Sequence, residues 1–79
     1  MIIPYLELPA LFSEGIYKLK IFPGSIAAYL EQPNNTTAIY LQGGNMFVLN
    51  MSIEQYEETI RIYFKEANKL GSTKLFKAN

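Results

Sequence analysis

The chain has 79 residues, a formal net charge of zero and 49% hydrophobic residues, and it contains no His, Cys, Trp or Asp. This composition excludes a disulfide framework, a thiolate nucleophile, a Cys/His zinc site and a histidine general base. The length fits one small domain, 1–79, and a domain of this size buries only roughly 60% of its unfolded surface. Because no disulfide supports so small a core, we expect copies of the chain to associate.

Two strands are predicted in the first third of the chain. Alternating and β-branched apolar residues indicate strands at 2–8 and at 16–22. The proline at position 4 places the first strand at a sheet edge or at a strand start. The segment 9–15 is expected to be irregular, and Pro23-Gly24 forms a turn after the second strand.

The middle of the chain predicts an antiparallel meander of three strands. These strands lie at 26–31, 38–42 and 46–50. A polar loop at 32–37 joins the first two, and Gly43-Gly44 closes a tight hairpin between the last two because glycine adopts positive φ at little cost.

A helix is predicted at 53–70. Ser52 and Gln55 form a capping box in front of it, Gly71 is placed to end it, and a short tail follows at 72–79. Its apolar stripe consists of Ile53, Tyr56, Ile60, Tyr63, Phe64, Ala67 and Leu70. The chain is therefore predicted to be an α+β protein, with a small antiparallel sheet of four to five strands and one C-terminal helix packed on one face.

The segment 23–60, PGSIAAYLEQPNNTTAIYLQGGNMFVLNMSIEQYEETI, resembles the small FlbD-like flagellar-operon proteins and similar short phage and bacterial proteins of unassigned function. The resemblance rests on Ile26, the strand Thr37 to Leu41, Gly43-Gly44 and the start of the helix. The chain departs from that pattern in its long N-terminal segment and its Met- and Phe-rich last strand. The pattern includes no catalytic residue, so the resemblance implies a fold and no enzymatic activity.

Glu, Lys and Tyr are the main side chains left for acid–base chemistry. Glu54 and Glu58 lie one helical turn apart, but acidic residues at the positive end of a helix dipole need no catalytic explanation. We expect no catalytic residue, no metal, no cofactor and no enzyme.

Basic residues gather at the C-terminal end, where they form a candidate phosphate or nucleic-acid contact. They are Arg61, Lys65, Lys69, Lys74 and Lys77. Lysines at the negative end of a helix are also ordinary, and we favour this structural explanation.

Tyr17, Tyr29, Tyr40 and Ile62 are the candidate interface residues. Tyr is common at protein interfaces because it supplies area with little loss of entropy. A base-stacking surface would require the three tyrosines to share one face of the sheet. Ile62 lies opposite the apolar stripe of the helix, which marks a possible second buried face. The loop Gly43, Gly44 and Asn45 is a candidate anion nest, although a hairpin turn explains the same residues.

The sequence predicts a non-enzymatic interaction protein, bacterial or phage-encoded, that regulates or inhibits a partner protein by binding it, as a homo-oligomer. The alternatives are a nucleic-acid-binding regulator that uses the basic C-terminal stripe and an oligomeric protein that binds or sequesters nucleotides. The first residues lack the features of a signal peptide, and no apolar run approaches the ~20 residues of a membrane helix. We expect no membrane partner and a cytoplasmic location, in the host cytoplasm if a phage encodes the chain.

Overall fold

The computed structural model describes residues 5–67, which form a five-stranded antiparallel sheet and one α-helix. The strands are β1 (Leu6–Phe12), β2 (Gly15–Ile21), β3 (Ile26–Gln32), β4 (Thr36–Leu41) and β5 (Met46–Leu49), and the helix is α1 (Ile53–Ala67). The predicted α+β class is confirmed. The end of the predicted helix at 68–70, Gly71 and the tail 72–79 lie outside the described residues.

The helix begins as the capping box predicts. The backbone N–H of Gln55 donates to the Ser52 hydroxyl at 3.1 Å, and the Ser52 N–H donates to the Gln55 side-chain oxygen at 2.9 Å. Two backbone N–H groups at the start of the helix, which have no carbonyl partner within the helix, thereby gain a hydrogen-bond acceptor. The cap fixes the direction in which the chain leaves β5 and enters α1.

The strand order is β2-β1-β5-β4-β3. The predicted meander of β3, β4 and β5 is confirmed. The sequence analysis did not predict that β5 also pairs with β1, through Ala10 opposite Leu49. This pairing joins the N-terminal hairpin to the meander and makes a single sheet.

The first strand lies further along the chain than predicted. It covers Leu6–Phe12 rather than 2–8, and the segment predicted as irregular contributes most of it. Strand β1 tolerates Pro9 because this residue lies beside the end of β5. The Pro9 carbonyl accepts the Asn50 N–H at 2.8 Å. The N–H that proline lacks would form only the last hydrogen bond between β1 and β5. The connection to β2 is therefore only Ser13 and Glu14.

The predicted loop at 32–37 is also shorter in the structure. Asn34 and Asn35 both adopt positive φ, +64° and +57°, which asparagine tolerates better than most residues. The chain reverses within residues 33–35, and Gln32 already pairs with Thr36. Strands β3 and β4 are longer than predicted as a result.

A short connection forces the sheet to curl. Strands β2 and β3 lie at opposite edges, yet only residues 22–25 join them, and Pro23–Ser25 form a 3-10 turn. Four inter-strand spacings of a flat sheet measure about 19 Å. Five residue steps of a fully extended chain reach at most about 18 Å. The two edges must therefore approach each other, and Ile21 of β2 reaches the same apolar cluster as Ile39 of β4.

The core lies on the concave side of this curl, which we call the inner face. Its buried side chains are Leu8, Ile21, Ile39, Leu49 and Tyr56. Ile60 of α1 packs against them, so the helix covers the inner face through its first two turns. Thr37 is also buried there, and its hydroxyl donates to the Met51 carbonyl at 3.0 Å.

We predict that Ser52→Ala destabilises the fold by about 1 kcal/mol because the first helical turn loses its cap. Ser52→Asp retains a cap acceptor and is expected to stay close to the original stability. Urea unfolding followed by circular dichroism measures both. Equal stabilities of the Ala and Asp variants would contradict the prediction.

We predict that Thr37→Val lowers the free energy of unfolding by about 1–3 kcal/mol, since the methyl group fills the same space but leaves the Met51 carbonyl without its donor. Thr36→Val is the matched control: that hydroxyl bonds to the Pro33 carbonyl in an exposed turn. Chemical denaturation compares the two, and a smaller loss for the buried position would contradict the expected order.

Candidate functional site

An apolar row crosses the face of the sheet opposite the helix, which we call the outer face. Cross-strand pairs place Ile16 beside Leu11, Val48 beside Ala38, and Ala38 beside Leu30. Leu11 lies opposite Val48, one step along from the pair of Ala10 and Leu49. The row therefore runs through all five strands, from one edge of the sheet to the other.

A second, shorter row lies beside it on the outer face. Met46 pairs with Tyr40, and Tyr40 pairs with Ala28. We call the two rows together the outer patch, which consists of Leu11, Ile16, Ala28, Leu30, Ala38, Tyr40, Met46 and Val48. Charged side chains on the outer face are confined, among the described residues, to Glu7, Lys18 and Lys20 at one corner. Lys18 and Glu7 form an exposed ion pair there at 3.6 Å.

The outer patch is of the size at which apolar surfaces are often functional. Leu11, Ile16, Leu30, Tyr40 and Met46 are each 36–55% exposed. If burial of a large apolar side chain removes on the order of 150–200 Å² of surface, these five expose about 400 Å² together. The largest apolar patch of a typical monomer is about 300–600 Å² and is often functional. The patch is thus a candidate contact surface.

The second feature lies between β3 and α1 on the inner face. The Tyr29 hydroxyl donates to a Glu57 carboxylate oxygen at 2.9 Å, and the Tyr29 and Tyr56 rings lie 4.8 Å apart. The hydrogen bond to Glu57 is the largest cause that raises the pKa of Tyr29, followed by burial and the Glu57 charge. Burial raises the pKa of Tyr56. The Tyr29 and Tyr56 hydroxyls therefore lose their protons at a higher pH than usual. The contacts of the two tyrosines connect β3 to α1.

The three candidate tyrosines do not share one face. Tyr17 and Tyr29 lie on the inner face at opposite edges of the sheet, whereas Tyr40 belongs to the outer patch. The reason is strand parity, because Tyr40 is adjacent to the inward-pointing Ile39. A single stacking surface made of all three is therefore absent. Ile62 is 45% exposed on α1, on the side turned away from the core.

The candidate basic stripe is only partly described. Arg61 and Lys65 lie exposed on α1, and the Arg61 guanidinium pairs with both carboxylate oxygens of Glu58. Lys69, Lys74 and Lys77 lie outside the described residues. The structure thus brings together two of the five basic residues, and one of these two already faces a carboxylate.

The loop Gly43, Gly44 and Asn45 has the geometry of a hairpin connection. Gly44 takes φ of +98°, its N–H donates to the Leu41 carbonyl at 3.0 Å, and the Leu41 N–H donates to the Asn45 carbonyl at 2.8 Å. These hydrogen bonds hold the turn closed. The Gly44 N–H is already used inside the chain and is not directed toward an anion.

Within residues 5–67 no group of three or more acidic side chains is arranged to hold a metal ion. No helix in that same part of the chain is long and apolar enough to cross a membrane. No family model, curated protein or solved structure matches the chain. Function is therefore inferred from the surfaces of the molecule itself.

The apolar row was missed in the sequence, although part of its signal is there. Leu30 and Met46 occupy positions that alternation assigns to the side opposite Tyr29 and Phe47. Leu11 lies in a segment that was predicted to be irregular. Val48 lies beside Leu11 only because β1 pairs with β5. The row emerges only when the strand order is known.

We predict that Glu57→Gln moves the pKa of Tyr29 down toward its ordinary value of 10.0, because the carboxylate acceptor is lost. A raised pKa in the folded state adds stability below pH 10 that is lost as pH rises through the folded pKa. Absorbance titration at alkaline pH, with Tyr29→Phe subtracted to isolate this residue, measures the change. An unchanged titration would contradict the role of Glu57.

Proposed function

We propose that this protein is a non-enzymatic interaction protein, bacterial or phage-encoded and cytoplasmic, that regulates or inhibits a partner protein by binding it and works as a homo-oligomer. The observation that carries the proposal is the apolar row on the outer face, in which Leu11, Ile16 and Leu30 are 40–55% exposed, Val48 is half-buried and Ala38 is buried. Exposed rows of this kind, bordered by polar side chains, are typical of protein-binding surfaces.

The shape and charge of the outer face favour one kind of partner surface. The sheet curls around its inner face, so the outer face is convex and fits a concave surface. The centre of the outer patch is apolar and uncharged, while Lys18 and Lys20 lie at its corner with Glu7 beside them. A complementary partner has a concave apolar surface with acidic side chains at one end.

The composition supports binding rather than catalysis. The sequence lacks His, Cys and Asp, and the residues with clear structural roles include most of the polar side chains near the helix. The capping pair Ser52 and Gln55 serves the helix start, and Glu57 and Glu58 each bond a neighbouring side chain. Each of these side chains already bonds another group within the chain, so it is not free to act as a reacting group.

A photo-crosslinking amino acid at Met46 tests the outer patch in the source cells. We expect adducts with a second protein because Met46 lies in the patch on the central strand β5. Adding Leu11→Lys should remove these adducts, since it places a charge in the middle of the row. Circular dichroism establishes that the variants remain folded.

The same crosslinker at Lys65 is the matched control. Lys65 is exposed but lies on α1, away from the outer face. Adducts from Met46 that persist with Leu11→Lys, or a protein adduct from Lys65 alone, would contradict the proposal. A nuclease-sensitive adduct from Lys65 would favour the nucleic-acid alternative instead.

A further inference from the structure

Strand β2 is an open edge of the sheet with exposed apolar side chains on both faces. Within residues 5–67 it pairs with β1 alone, so the sheet leaves the backbone groups on its other side unused. The strand contains no proline. Ile16 is 55% exposed on the outer face, and Tyr17 is 51% exposed on the inner face. An edge of this kind is a template for pairing with another chain.

The hairpin turn decides which residues of β2 offer backbone groups to the open edge. Phe12 pairs with Gly15 across a connection of only two residues. In such a hairpin the flanking pair exchanges hydrogen bonds, and bonded pairs then alternate with non-bonded pairs along the ladder. The odd-numbered residues of β2 therefore direct their N–H and C=O groups to β1. The even-numbered residues direct theirs to the open edge, and these are Ile16, Lys18 and Lys20.

The position of Pro9 agrees with this alternation. Pro9 lies opposite Lys18, in a pair that exchanges no hydrogen bonds. Its carbonyl instead faces β5, where it accepts the Asn50 N–H at 2.8 Å. A proline has no N–H to donate, so a bonded position opposite β2 would have lost one hydrogen bond of the hairpin.

Two β2 edges can pair about a two-fold axis, and charge and length select the position of that axis. Even-numbered residues must face even-numbered residues, so the axis lies at a residue and not between two. An axis at any residue from Lys18 to Lys20 brings lysines of the two copies opposite each other, where like charges repel. Because β2 begins at Gly15, an axis at Ile16 aligns only three residues of each strand, whereas an axis at Tyr17 aligns five and opposes no lysines.

The register centred on Tyr17 joins aromatic rings on the inner face. It puts the Tyr17 residues of the two copies opposite each other in a non-bonded pair, where opposed side chains are closest. Each Tyr17 ring already packs edge-on against Phe12 of its own chain, with ring centroids 5.6 Å apart. Aromatic cross-strand pairs stabilise a ladder. The pair therefore covers two rings that the single chain leaves half in solvent.

The same register is complementary on the outer face. It puts Ile16 opposite Lys18 of the other copy, whose aliphatic stem covers it. The Lys18 ammonium group lies 3.6 Å from a Glu7 carboxylate oxygen of its own chain, which offsets its charge. At each end of the paired strands, the turn residue Glu14 is brought beside Lys20 of the other copy. Opposite charges thus flank the contact on both sides of the axis.

The position of α1 favours the β2 edge over the β3 edge. The helix contacts β3 through the Tyr29 hydroxyl, which donates to Glu57, so it lies toward the edge opposite β2. Two β3 strands paired about a two-fold axis would bring both helices to one seam. Paired β2 strands keep the two helices at the far ends of the joined sheet.

We propose that two copies of the protein pair through their β2 edges, antiparallel about a two-fold axis at Tyr17, and so form one continuous sheet. This inference deepens the homo-oligomer of the proposed function and rests on that part of it. The contact is isologous and closes at two copies. A standard interface uses about 20–30 residues of each partner, so an edge of seven residues gives a weak dimer. The outer patches of both copies then lie on the same side, with the two Ile16 residues as diagonal neighbours.

Single cysteines report the register directly, because the sequence has none. Opposed residues of a non-bonded antiparallel pair have Cα atoms about 4.5 Å apart, which a disulfide can bridge. In a glutathione buffer we expect Tyr17→Cys to give about tenfold more disulfide-linked dimer than Ile16→Cys or Lys18→Cys. Non-reducing electrophoresis measures the dimer. Tyr29→Cys, on the inner face of β3, is the matched control at the other edge and should give none above background.

The cysteine series also shows which alternative holds if the prediction is wrong. Most dimer from Ile16→Cys or Lys18→Cys would overturn the axis at Tyr17 and move it to that residue. Most dimer from Tyr29→Cys would overturn pairing through β2 and support pairing through β3.

Opposite charges at Ile16 test the contact without a covalent bond. Each new side chain faces Lys18 of the other copy, so we expect Ile16→Glu to dimerise about tenfold more tightly than Ile16→Lys at low salt. Sedimentation velocity over a range of concentrations measures both. Leu30→Glu and Leu30→Lys are the matched controls, since Leu30 is 53% exposed on the outer face at the β3 edge, and both should dimerise like the original chain. Equal affinities of the two Ile16 variants, or a loss in the controls, would overturn the proposal.

A chain that stays monomeric at every concentration would also overturn β2 pairing. The partner-binding part of the proposed function is measured separately by the adducts from Met46. A monomer that still forms those adducts retains a partner protein on its outer face. A β2-paired dimer without them overturns partner binding and leaves the edge contact supported.

Discussion

The connection of residues 22–25 is the constraint on which the rest of the structure depends. It joins opposite edges of a five-stranded sheet with fewer residues than a flat sheet requires. The sheet must curl, and the curl encloses Leu8, Ile39 and Leu49 beneath α1. The same curl turns the other face outward, where residues 5–67 supply no second helix to cover Leu11 or Leu30.

The outer patch and the two edges are related by the same geometry. The row on the outer face ends in Ile16 and Leu30 because β2 and β3 are the edge strands. A partner protein bound over Met46 and Leu11 would contact the outer patch between these two edges.

The sequence predicts the elements better than it predicts how they meet. Ser52, Gln55 and the 3.6-residue stripe around Tyr56 are local signals, so the helix start and its buried face follow from them. The first strand was predicted to end before Pro9. The strand can include Pro9 because β5 ends beside it, and the local sequence does not contain that information. A base-stacking surface would require Tyr17, Tyr29 and Tyr40 to share one face, and strand parity places Tyr40 on the other face. The outer row depends on the pairing of β1 with β5, which no short window of sequence contains.

That pairing has a further consequence for how the chain folds and opens. Ala10 and Leu49 are 39 positions apart, whereas the other three strand pairs within residues 5–67 join neighbours in the chain. The hairpin of β1 and β2 and the meander of β3 to β5 can each form locally, and the pairing of β1 with β5 then requires closure of the longest loop. If the structure opens in part before it unfolds as a whole, we expect the boundary between β1 and β5 to be where the hairpin separates from the meander.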